Sequence, residues 1–478
     1  MSVTLKPYPE YKDSGLRWLG KTPAHWAPLP LRALTEPKNE RERADLPLLS
    51  VYREYGVIKR DSRDDNYNPE GEDLSTYKAV APGDLVLNKM KTWQGSLGVS
   101  EHSGIVSPAY IVCRLRGHFD RRFLHLVLRS RPYIDHYNRL SFGVRVAQWD
   151  MRYQDFKQIR VYFPPVPEQS AIVRFLSVED ARIRRLIRAK RRVIELLNEQ
   201  KQAIIQRVMT RGLDRSVRFK CPGLDWLGEI PDNWQVVRVK FCSRVISKGT
   251  TPSTGGRGMP ESGRIRFFKA ENVAGGAIVD RPLCFIDEET HALLKRSQLR
   301  ENDVLFVIAG ATLGKVAVVE TCHLPANTNQ AVAFIRPNQT VEPRYLALWL
   351  QSPQLNKLIW LRAVQSAQPN LSMADLGDLI VALPPKREQM RILDWLNARS
   401  GQFGTGIDTA KQEIDRIREY RTRLIADVVT GKLDVRGVEL SPEDEAMEAT
   451  ALYAEQAPDE APEEEELGTT EEDANADE

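Results

Sequence analysis

At 478 residues the chain is too long for a single hydrophobic core, and with 42% hydrophobic residues and no run approaching 18 apolar positions it reads as a multidomain globular protein without a membrane span. Its five cysteines (Cys113, Cys221, Cys242, Cys284, Cys322) have neither CxxC nor histidine-paired spacing, which points to reduced thiols in a cytoplasmic protein and gives no sign of zinc or a disulfide framework. The net charge of +3 conceals an asymmetry: Ser441 to Glu478 holds 16 acidic residues and no Lys or Arg, so residues 1–440 carry +19 and would attract a polyanion.

In chain order, MSVTLKPYPEYKDSG (1–15) lacks the basic-then-apolar pattern of a secretory signal. Next comes LRWLGKTPAHW (16–26), which is written again as LDWLGEIPDNW (224–234), with six of eleven positions identical at an offset of 208. Trp18 and Trp26 therefore recur as Trp226 and Trp234. Residues that persist between divergent halves are packing anchors or docking points, with packing the favoured reading. PGDLVLNKM (82–90) is an acidic turn leading into a strand, matched by ENDVLFVIA (301–309). The loop NKMKTWQGS (88–96) then gathers Lys89, Lys91, Trp93 and Gln94, and SFGVRVAQWD (141–150) adds Arg145 and Gln148. Lys suits phosphate, Gln suits adenine edges and Trp can wedge or stack; a solvated loop beside a packing Trp explains the same residues.

VYFPPVPEQ (161–169) and VALPPKREQ (381–389) each end an alternating strand with Pro-Pro and open a helix with Glu-Gln, where negative charge favours the first turn. Two heptad seams follow. Ile183, Ile187, Lys190, Ile194, Leu197, Lys201, Ile204 and Val208 step by 4 and 3, and adding 220 gives Phe403, Ile407, Ala410, Ile414, Ile417, Arg421, Leu424 and Val428. MTRGLD (209–214) and VTGKLD (429–434) end them, with Gly212 and Gly431 as C-caps. About 30 residues at 1.5 Å each give a rod of roughly 45 Å, and the cheapest partner for each seam is the other, antiparallel.

Within the second half, SKGTTPSTGGRG (247–258) carries Lys248 and Arg257, and RIRFFKAEN (264–272) places Arg264, Arg266 and Asn272 on a polar face. Thr312 and Lys315, with Asn327, Asn329 and Gln330, complete a candidate surface, although an ordinary amphipathic strand and surface loops account for these residues without a ligand. GATLGKV (310–316) is one residue short of a P-loop, no Asn-Pro-Pro-aromatic methyltransferase loop occurs, and no GxSxG or HExxH appears. The readings left open are a DNA-binding adaptor, a DNA-modifying enzyme with unrecognised catalytic residues, and a coiled-coil scaffold unrelated to DNA.

Four features, namely the paired Trp motifs, the PPVPEQ and PPKREQ helix starts, the paired heptads, and the alternation of repeated with variable segments, make the chain from about Gly15 to Leu433 resemble the specificity (S) subunit of type I restriction-modification systems. The resemblance implies an α+β fold of two tandem-duplicated globular target recognition domains separated by two long helices in an antiparallel coiled coil. In this chain the parts would be target recognition domain 1 at 1–175, a central spacer helix at 176–214, target recognition domain 2 at 215–395 and a distal spacer helix at 396–436; the acidic tail at 437–478 departs from the family and is expected to be disordered from its aromatic-poor, Glu-, Ala- and Pro-rich composition. It further implies binding of double-stranded DNA, one half-site per domain, and no catalytic residue, cofactor or metal in this chain. S-adenosylmethionine would be bound by two docked methyltransferase subunits that methylate adenine N6. ATP and Mg would belong to motor-nuclease subunits that join the complex.

Overall fold

The computed structural model describes residues 5–53, 55–62, 73–143, 149–252, 260–363, 369–444 and 446. The chain forms two compact units, the first made of Met1–Arg191 with Lys411–Glu478 and the second of Arg192–Ala410. The division falls inside both long helices, so each unit owns the start of one and the end of the other; the sequence had set the helices apart as separate spans.

In the first unit an antiparallel sheet runs in the order Thr35–Lys38, Tyr110–Leu115, Leu85–Asn88, Leu97–Val99. Strand alternation buries both faces: Leu85 and Leu87 join the core around Trp26 and Phe123, while Val86 packs with Val51, Val57 and Val112. The second unit repeats the order with Ser243–Lys248, Val332–Pro337, Val304–Val307 and Val316–Val318, and Val304 and Phe306 face one core while Leu305 and Val307 face another. The acidic turn before the inner strand is a joint in both. Asp84 accepts from the backbone N–H of Ala81 at 2.9 Å and from Lys38 at 3.1 Å; Asp303 accepts from the N–H of Arg300 at 2.8 Å and two bonds from Arg336, at 2.8 and 2.7 Å. The units differ in what is added to this frame. The first has the hairpin Leu49–Tyr52 and Gly56–Lys59, and the second a three-stranded sheet of Phe285–Ile286, Ile265–Phe268 and Ala326–Thr328.

The long helices span Val166–Arg211 and Lys386–Val429, 46 and 44 residues where about 30 were expected, and they begin ten residues before 176 and 396. In the first helix Pro167 sits in the first turn, where its missing N–H has no intrahelical partner to lose; the second starts directly after Pro385. Gln169 then bolts the helix start to the sheet. It donates to Pro164 O at 2.8 Å and accepts from Asp120 N at 2.8 Å; Gln389 donates to Pro384 O and Thr340 O, both at 2.9 Å, and accepts from Glu342 N at 2.8 Å.

Along the seams Ile183, Val208, Ile414, Leu424 and Val428 are buried, and Ile187, Ile194, Leu197, Ile204, Phe403, Ile407 and Ile417 are half-buried between exposed neighbours. Within the first unit Asp180 meets Arg421 and Lys190 meets Glu413 at 2.7 Å, so partner numbers fall as the first helix advances, an antiparallel register. Within the second unit Leu197 lies against Gly406, on the same register. The segment after the second helix reaches the first: Arg182 Nη2 meets Asp444 Oδ1 at 2.5 Å. Of the tail at 437–478, residues 445 and 447–478 lie outside the described residues. No helix among the described residues is long and apolar enough to cross a membrane.

Candidate nucleic-acid interface

The repeated tryptophan motif forms the joint where one helix ends and the other begins. In the first unit Trp26 is fully buried, and its Nε1 donates to Glu168 Oε1 at 3.0 Å in the first turn of the first long helix. Gly431, which ends the second long helix with φ +77°, packs on Pro23 and Trp26 so closely that a Cβ would be driven into the proline ring. In the second unit Trp234 is equally buried, Gly212 (φ +69°) lies against Pro231 and Trp234, and Asn233 donates to Glu388 at 3.3 Å. Trp18 stacks on His136 with centroids 4.3 Å apart. These are packing roles, and the motif holds no reactive constellation.

A cleft of 1220 Å³ opens in the first unit. Arg53 and Lys59 come to it from the hairpin, Arg121, Arg122 and His125 from the helix Arg121–Leu128, Arg129 and Arg131 from the segment that follows, and Arg184 and Arg421 from the long helices. Asp120 caps the Arg121–Leu128 helix, accepting from Arg122 N at 2.8 Å and Phe123 N at 3.2 Å. Two arginines in a first turn oppose the macrodipole, so helix stability does not account for them, whereas an anion outside the helix would. Among the described residues Lys59 and Arg121 make no ion pair. Asp180 sits in the wall between Arg184 (2.6 Å) and Arg421. Burial works to raise its pKa, but the two guanidinium groups win and hold the carboxyl below the usual carboxylate range. His125 is pushed down to about 3, first by burial and then by Arg129 beside it, and its Nδ1 accepts from the Val99 N–H at 3.1 Å. It is therefore a neutral acceptor. Arg129 fastens the hairpin by donating to Leu97 O at 2.9 Å and Arg53 O at 2.6 Å.

Of the candidates from sequence, Trp93 and Gln94 line this cleft. Lys89, beside them in sequence, meets Asp150 at 2.6 Å with 43% of its side chain exposed, and Lys91 is exposed at the start of the same turn. Arg145, Gln148 and Arg257 lie outside the described residues. In the second unit Lys248 and Lys315 are exposed, Thr312 is half-buried with its carbonyl accepting from Lys315 N at 3.2 Å, and Arg264 is exposed 3.6 Å from Glu288. One candidate is corrected, and a second is engaged in an ion pair. Asn272 is 1% exposed, and its side chain is spent on the frame, accepting from Lys269 N and donating to Val279 O and Pro282 O, each at 2.9 Å. Arg266 is paired with Asp280 at 2.9 Å and mostly covered. Asn327 is likewise buried, held by Ser297, Leu294 and His291. The cleft arginines escaped sequence reading because they arrive from separate segments; the one local sign was Arg-Arg directly after a capping Asp, at 120–122.

Comparison with known proteins places these features. A family model described as type I restriction modification DNA specificity domain matches residues 231–418. The chain is 24% identical over 287 residues to the type I restriction enzyme MjaVIII specificity subunit of Methanocaldococcus jannaschii, a match spanning 59% of this chain and 64% of that protein. It is 23% identical over 377 residues to the EcoBI specificity subunit of Escherichia coli, covering 74% of each. A solved structure from work on complex assembly and conformational transition of the type I R-M system shares the fold, with a TM-score of 0.60 at 19% identity over 86% of this chain and 99% of that one.

Proposed function

This chain belongs to the specificity-subunit family of type I restriction-modification systems, and from that premise we propose that it is the DNA-reading subunit of such a complex. The observation that carries the reading is the basic cleft of the first unit, set on a frame that the second unit repeats with different surface loops. Each unit reads one half of a bipartite duplex site. Phosphates are held by Lys59, Arg121 and Arg122, with affinity coming from released counterions, and loop side chains such as Gln94 reach base edges. The paired antiparallel helices fix the gap between the half-sites. Two methyltransferase subunits dock on this chain and bring S-adenosylmethionine and adenine N6 methylation, and motor-nuclease subunits bring ATP and Mg, so this chain carries no catalytic residue of its own. It works in the cytoplasm.

A binding titration across salt tests the reading. Affinity for duplex DNA should fall linearly on log–log axes, and Arg121→Ala should reduce the slope by about 0.9 while weakening all sequences alike. Exchange of residues 215–395 for another module should change one half-site and leave the other. A flat salt response would sink DNA reading, and methyl transfer by the purified chain alone would sink the adaptor role in favour of an enzyme.

A further inference from the structure

Beside the basic cleft the first unit carries an exposed apolar cluster. Met90 is 47% and Phe142 60% exposed, and the half-buried rings of Trp93 and Trp149 are tilted at 58° with centroids 4.9 Å apart. The cluster is tied to the frame at several points. Trp93 Nε1 donates to Met90 O at 3.0 Å, Met151 N donates to Lys89 O at 3.0 Å, and Phe142 and Asp150 exchange backbone hydrogen bonds of 3.2 and 2.8 Å. Met90 and Phe142 held in water beside two half-buried indoles are not explained by folding, because the second unit builds the same scaffold without them. There Leu371 N donates to Ile308 O at 2.8 Å, as Met151 does to Lys89, and Gly314 repeats the positive φ of Gly95. On that alignment Met90, Trp93 and Trp149 correspond to Ala309, Thr312 and Pro369. The frame is common and the aromatic tip is not. Trp93 is also a wall residue of the cleft, so it joins the indole pair to the surface that the arginines line.

We propose that this cluster is a wedge that seats against a partly unstacked base step of duplex DNA, so that the first unit reads its half-site through the deformability of that step while the second reads without a wedge. The inference rests on the DNA-reading function above. Apolar side chains that enter between base pairs require a step that unstacks readily, and pyrimidine–purine steps do so most easily. The arginines beside the tip hold the flanking phosphates, which fixes the step over Trp93. The first unit's half-site is therefore expected to contain such a step where the wedge sits.

The test uses the full chain without methyltransferase partners, which extrude bases themselves, and duplexes with 2-aminopurine placed singly at each position of the site. Fluorescence should rise several-fold at neighbouring positions of one half-site only, the one left unchanged when residues 215–395 are exchanged. Trp93→Ala combined with Trp149→Ala should abolish the rise and lower the ratio of specific to nonspecific affinity roughly tenfold to hundredfold, with the salt slope unaltered. Trp93→Phe should retain most of the rise. Phe142→Ser, at an exposed site, should diminish it without disturbing folding. Flat fluorescence across both half-sites on DNA that anisotropy shows to be bound, or an equal rise in both, overturns the wedge and leaves DNA reading intact. A duplex not bound even at low salt removes DNA reading, and the wedge with it.

Discussion

At the joint of the first unit Trp26 donates to Glu168, and that carboxylate also takes the Tyr8 hydroxyl at 2.8 Å and His25 at 2.8 Å. At the joint of the second unit Trp234 is just as buried, yet its Nε1–H has no acceptor among the described residues, and Asn233 stands where His25 does. The same difference runs through the long helices. Lys201 and Arg421 occupy equivalent seam positions, but Arg421 meets Asp180, and the equivalent of Asp180 at an offset of 220 is Ser400. What both units share is therefore shape: an indole against a glycine helix end. The polar bonds around that shape are elaborated in the first unit and thinner in the second.

The glycines should separate the joints most. Gly431→Ala places a methyl group into the Pro23 ring with a left-handed backbone, for an expected loss of about 3 kcal/mol. At Gly212 the nearest obstacle is the end of the Glu388 side chain, 2.9 Å away and able to move, so Gly212→Ala should cost about 1 kcal/mol. Urea unfolding followed by hydrogen exchange in each unit reads both, and equal losses would break the comparison. Trp26→Phe leaves the buried Glu168 short of a donor at about 2 kcal/mol beyond lost packing, whereas Trp234→Phe should show only the packing loss.

A third difference is acid sensitivity. His125 on the helix Arg121–Leu128 corresponds to Ala347 on Pro343–Leu350. Its folded pKa of about 3 lies below the ordinary 6.5, so the unfolded chain binds the proton first, and stability is lost progressively as pH falls from 6.5 toward 3. Exchange protection of the first unit's sheet should fall over that range, more than that of the second, and His125→Gln should narrow the gap. The smallest effect is a gain: Ser400→Asp offers Lys201 the carboxylate that Arg421 already has, and should stabilise the second unit by up to about 1 kcal/mol at low salt.

The frame was legible in the sequence because its joints demand particular residue types. Gln169 satisfies two partners and Gln389 three, the helix-ending glycines need a positive φ, and the tryptophans fill one shape twice. Such demands write themselves as repeats. The reading surface was legible only in part. Trp93 and Gln94 stood out as a compact loop, but Lys59, Arg121 and Arg421 converge on the cleft from distant stretches whose meeting no local pattern records. Asn272 and Asn327 misled because a buried amide that satisfies backbone groups has the same letter as one that reads a base.

The division of the first unit into two stretches of chain has a consequence for its synthesis. Its core includes Trp26, Phe123 and Phe163 from the early stretch and Leu424, Val428 and Val435 from the late one, and Asp434 N closes on Lys6 O at 2.8 Å. About 220 residues, the whole of the second unit, are translated between Arg191 and Lys411. At roughly 5–20 residues per second the early stretch waits on the order of 10–45 s for the helix end that covers Trp26. The second unit, contiguous in the chain, can close first. The half of the molecule that leaves the ribosome first is thus the half that finishes last, and its bare indole face is where a chaperone would act.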